Sequence, residues 1–122
     1  MHANKIQKLQ ISLTDRLFGN VNLVDDLIDA WEGALADDFQ WRDILTIAQS
    51  TAETLVPVVM SFSMLTNEQK REIVVETTRD LFDAVIEPID LPWLPDSLVD
   101  PILRKTITWL AETTFDRLVE GE

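Results

Sequence analysis

Cysteine is absent from all 122 residues, which removes disulfides, thiolate nucleophiles and thiolate metal sites together. A reducing compartment suits such a chain, and a cytoplasmic location is expected. Tyrosine is absent too, so no phenolic hydroxyl is on hand for acid–base work. The one histidine is His2, near a terminus, where chains order poorly. Its position excludes the usual general base, Ser–His and Cys–His nucleophile pairs, and the Glu-x-x-His ligands of two-metal bundles. Three scattered glycines cannot build a phosphate-cradling loop. Asp25, Asp26 and Asp29 lack the alternating spacing and central glycine of a calcium loop. The chain therefore reads as non-enzymatic, with no catalytic residue, no metal and no cofactor expected; a carboxylate-only site is the one enzymatic alternative left, and no motif points to it.

Positive charge is scarce as well. Ten Lys and Arg face 22 Asp and Glu, a net charge of −12. Phosphate backbones are bound by clustered bases, so direct nucleic-acid binding is not expected. An acidic surface favours solubility and attraction to a basic partner. The charge is uneven: residues 1–10 carry Lys5 and Lys8 and no acid, whereas residues 54–65 carry no charge at all. The first stretch has no apolar core with a small-residue cleavage site and does not read as a secretory signal peptide.

What is present is helical periodicity. At 46% hydrophobic, one domain over residues 1–122 can bury a core. Ile6, Leu9, Leu13 and Leu17 predict a helix over 3–18, with Gly19-Asn20 as its stop. A second is predicted over 22–37, with Asn22 as N-cap and a stripe of Val24, Leu27, Ile28, Trp31 and Leu35. Asp37-Asp38 is the expected cap of a third, whose spacing runs from Ile44 through Leu55 and Val59 to Leu65. Pro57 lies inside it and predicts a kink or break near Thr54. Thr66-Asn67-Glu68-Gln69 is a capping box opening a fourth helix that Glu87-Pro88 ends. Asp100-Pro101 starts the last, to about Val119. The expected fold class is an all-α bundle of about five helices.

Four of the five prolines fall in residues 88–101. That segment also holds Ile89, Leu91, Trp93, Leu94, Leu98 and Val99, so it reads as an ordered strap before the last helix and not as a polar linker. Trp93, between two prolines, is the candidate interface anchor; Trp31 reads as core and Trp109 as the edge of a stripe. On the second helix Asp25, Asp29 and Glu32 share a face, the candidate docking surface for a basic partner. Residues 44–65 have the length of a membrane span. Glu53 and several hydroxyl and amide side chains inside it make a core helix the better reading, and the uncharged half, 54–65, could cover a partner or a second copy.

The run Leu65-Thr66-Asn67-Glu68-Gln69-Lys70-Arg71-Glu72-Ile73-Val74-Val75-Glu76, with Pro88-Ile89-Asp90-Leu91-Pro92-Trp93-Leu94-Pro95 and Asp100-Pro101-Ile102-Leu103, is similar to small uncharacterised helical proteins of phage and large viruses, some labelled holin-like. The resemblance implies a helical fold and a viral source, brings no catalytic residues and leaves residues 1–50 outside it. The expected function is an acidic protein-interaction module, viral or host-factor-binding, with homo-oligomerisation as a further expectation. The alternative is a peripheral, holin-like membrane protein using residues 1–13 and 54–65.

Overall fold

Leucines four apart open the structure: Leu9, Leu13 and Leu17 are all buried, because a spacing near 3.6 puts them on one side of a helix. The computed structural model describes residues 2–34, 41–86 and 102–120, with side chains from residue 6 in the first stretch and from 42 in the second. Among these, five α-helices and no strand occur: α1 (His2–Arg16), α2 (Val21–Gly33), α3 (Trp41–Met60), α4 (Asn67–Leu81) and α5 (Arg104–Glu120). The chain is an all-α bundle.

Helices α3, α4 and α5 pack on one another, and α1 and α2 pair beside them, with α1 against α4 and α2 against α3. The shared core joins Leu13 and Leu17 to Val24, Ile28 and Trp31, and both to Leu55, Val59, Val74, Leu81, Ile107 and Phe115. Small side chains let the axes approach: Ala48, Ala52 and Ala111 are completely buried. Arginines then tie helix to helix. Arg16 of α1 reaches Asp80 at 2.8 Å and Thr77 at 3.4 Å on α4, and Arg117 of α5 reaches Glu53 of α3 at 3.3 Å.

Helix ends follow local chemistry. Thr66 and Gln69 form the expected capping box: Thr66 Oγ1 accepts from the Gln69 amide at 3.1 Å, and Gln69 Oε1 accepts from the Thr66 amide at 2.9 Å. After α1, Phe18 and Gly19 both adopt positive φ, 56° and 86°. Glycine does this freely, whereas a bulky residue such as Phe18 does so rarely.

Four boundaries differ from the sequence reading. α2 starts at Val21 after Asn20, not after Asn22, because the Asn20 side chain donates back to the Leu17 carbonyl at 2.8 Å and closes the turn there. It ends at Gly33, short of 37. α3 runs unbroken through Thr54 and Pro57 to Met60. Pro57 is exposed, so the Glu53 carbonyl that loses its partner faces water, while Leu55, Val56 and Val59 hold the helix in the core. Beyond Met60, Ser61, Phe62 and Leu65 turn through backbone bonds to residues three earlier. The fourth helix keeps α geometry only to Leu81 and widens into a π-helical turn over Phe82–Ile86. The widened turn buries Phe82, Ala84, Val85 and Ile86 together. The 88–101 strap, Trp93, and the Asp37-Asp38 and Asp100-Pro101 caps lie outside the described residues.

Candidate functional site

α2 carries the acidic residues that the sequence reading singled out. Val21, Asp25, Asp29 and Glu32 follow at four- and three-residue spacing and share one face, which adjoins the buried stripe of Val24, Leu27, Ile28 and Trp31. Asp29 and Glu32 are exposed, as is Asp26. Asp25 is half-buried and accepts a hydrogen bond from the Gln10 Nε2 of α1.

Four arginines, Arg16, Arg71, Arg104 and Arg117, are engaged elsewhere. Arg71 of α4 forks onto Asp116 of α5, Nε to Oδ1 and Nη2 to Oδ2, each at 3.0 Å, with Glu112 at 3.4 Å. Arg104 meets Asp83 at 3.0 Å. The Arg71 hydrogen bond, and then its charge, hold the Asp116 carboxyl below its ordinary value against the opposing pull of desolvation. Asp116 in turn raises the Arg71 value, its hydrogen bond first. Among the described residues, no ion pair includes α2. Helix α2 also contains no basic residue, so nothing within the helix offsets its negative charge.

Two concavities flank this frame. One, of about 280 Å³, sets Glu68, Glu72, Glu76 and Glu112 around Arg71 and Arg79. Among the described residues no group of His, Asp and Glu could hold a metal ion, and no described helix is long and apolar enough to cross a membrane. The other, about 810 Å³ and wide open, lies where α1 turns into α2 and is lined by Gln10, Ile11, Thr14, Asp15, Phe18 and Val21. Compared with protein-family models, curated proteins and solved structures, this chain has no match.

The sequence reading missed Ile11, Phe18 and Val21, which are 72%, 54% and 48% exposed. A signal existed for Ile11: it stands two residues from both Leu9 and Leu13, off the buried stripe. Phe18 sits edge-on to Phe62, ring centroids 4.7 Å apart. Of the tryptophans, Trp31 is fully buried and donates its indole N–H to Thr51 at 2.7 Å, while Trp109 is 60% exposed on α5. Chemically, the arrangement offers charge and apolar surface for recognition, with the exposed acids of α2 beside the apolar corner.

Proposed function

We propose that this protein is a non-enzymatic interaction module that meets a basic partner protein through the exposed face of α2. The observation that carries the reading is the arrangement of charge. Arg16, Arg71, Arg104 and Arg117 each bridge to an acid on another element, whereas α2 takes part in none of these pairs. Uncompensated like charge on one face costs stability locally and steers an oppositely charged surface into encounter. If the source is viral, as the second-half resemblance implies, a basic host factor is the matching partner.

The test is affinity capture from source lysate at low and high salt, followed by titration of the recovered partner. A partner that binds wild type, falls away with salt and is lost to the charge reversal Asp25→Lys, Asp29→Lys, Glu32→Lys supports the proposal. Binding indifferent to salt and to the reversal would sink it. The holin-like alternative predicts flotation with anionic phospholipid vesicles, which the acidic face opposes.

A further inference from the structure

Three apolar side chains at one corner of the bundle face water. Ile11 lies on α1, Phe18 in the turn and Val21 at the start of α2, and together they line the 810 Å³ groove with Thr14, Gln10 and Asp15. A contiguous apolar opening with a polar rim marks an interaction site more than scattered surface leucines do. The corner is held in shape: Phe18 braces against Phe62, and the Gly19 amide bonds back to the Thr14 carbonyl at 2.8 Å.

The groove opens onto the acidic face. Gln10, in its wall, donates to Asp25; Val21, in its other wall, is one turn before Asp25 on the same face of α2, with Asp29 and Glu32 continuing the line. Asp15 adds an acid to the wall itself. Lys8, one turn before Ile11 on α1, is exposed. We propose that this groove docks a basic amphipathic helix of a partner protein. Its apolar side chains fill the space over Ile11, Phe18 and Val21, and its Lys and Arg flank lies along Asp15, Asp25, Asp29 and Glu32. Charge selects this occupant. A second copy of the chain would bring another −12 to the same surface, and an anionic membrane would be repelled. This docking mode rests on the acidic-face reading above, but the groove and the charges can be altered separately.

The probe is a synthetic amphipathic peptide of Leu and Lys at helical spacing, with a Leu and Glu counterpart as control, titrated into the full chain and followed by amide chemical shifts. The amides of Ile11, Thr14, Phe18, Gly19 and Val21 are expected to move with the Lys peptide only. The double variant Ile11→Asn, Val21→Asn should weaken binding roughly tenfold or more and leave the salt dependence steep. Asp29→Asn with Glu32→Gln should weaken binding and flatten its salt dependence. These are exposed positions, and far-UV circular dichroism checks that each variant is folded; Phe18 is left in place because it supports Phe62. If only the charge variant weakens binding, the groove is overturned and the acidic face stands. If only the groove variant weakens it, with no salt dependence, the acidic face falls and the basic occupant with it. Equal binding of the Glu peptide, or shifts centred on α5, overturns the proposal. So does vesicle binding or self-association that Ile11→Asn, Val21→Asn abolishes while the Lys peptide causes no shifts.

Discussion

A single buried hydroxyl joins two helices. Thr51 of α3 donates to the Ile47 carbonyl at 2.7 Å and accepts the Trp31 indole N–H of α2, also at 2.7 Å. Thr51→Val keeps the volume but leaves that N–H buried without a partner, which costs about 1–3 kcal/mol. The urea midpoint followed by tryptophan fluorescence should fall accordingly, and Thr51→Ser should restore most of it. In a Trp31→Phe background, where no indole N–H remains, Thr51→Val should cost much less. Equal cost in both backgrounds would mean that the indole bond contributes nothing.

The Arg71–Asp116 fork behaves differently because it is wetter. Both side chains are more than a third exposed, 37% and 47%, so the pair stabilises by less than about 1 kcal/mol. The sign follows from the lowered Asp116 value. The unfolded carboxyl holds its proton up to a higher pH than the folded one, so the stabilisation is complete above the unfolded value of about 3.9. It is lost as pH falls through the folded value. Arg71→Gln should return Asp116 to the ordinary carboxylate range in an NMR titration, and its stability cost should be present at pH 7 and vanish in acid. An unchanged Asp116 titration would show that the fork is not populated in solution.

At the scale of the element, ends and interiors obey different rules. The α4 start depends on Thr66, whose hydroxyl and amide both serve the capping box. Thr66→Ala should cost about 1 kcal/mol in thermal or urea unfolding, and Thr66→Ser should cost little; a neutral Thr66→Ala would mean that water replaces the cap. That box was legible because its residues bond to each other over three positions. The leucine stripes and Trp31 were legible for the same reason, since period and burial agree. The break offered at Pro57 does not occur, because proline's penalty depends on which side of the helix loses its bond, and only the packed structure shows Pro57 to be exposed. Two of the buried threonines were legible as well, because Thr51 and Thr78 hold the helical spacing of the apolar stripes around them. Thr78 satisfies its hydroxyl on the Val74 carbonyl at 2.9 Å, so a polar residue enters the core at no loss of hydrogen bonding. Thr77 and Thr114, also buried, were not.

For the whole molecule, the decisive quantity is where charge goes unpaired. The sequence held the candidate acids in plain view on α2, but the apolar groove beside them depends on which helices cover which, and periodicity assigns Phe18 and Val21 no side. Asp25, Asp29 and Glu32 repel at three- and four-residue spacing, and Glu32, in the last turn of α2, faces the negative end of the helix dipole. Asp29→Asn with Glu32→Gln should therefore raise stability by roughly 0.5–1 kcal/mol at low ionic strength, read as a higher Tm. At about 1 M salt, where screening acts over about 3 Å, the gain should vanish. The same substitutions weaken docking of a basic helix, so stability and binding should move in opposite directions. That opposition is what distinguishes a face kept acidic for a partner from one held by contacts within the fold. A double variant that is less stable than wild type at low salt would place these carboxylates in the second class and leave α2 without a reason to attract anything.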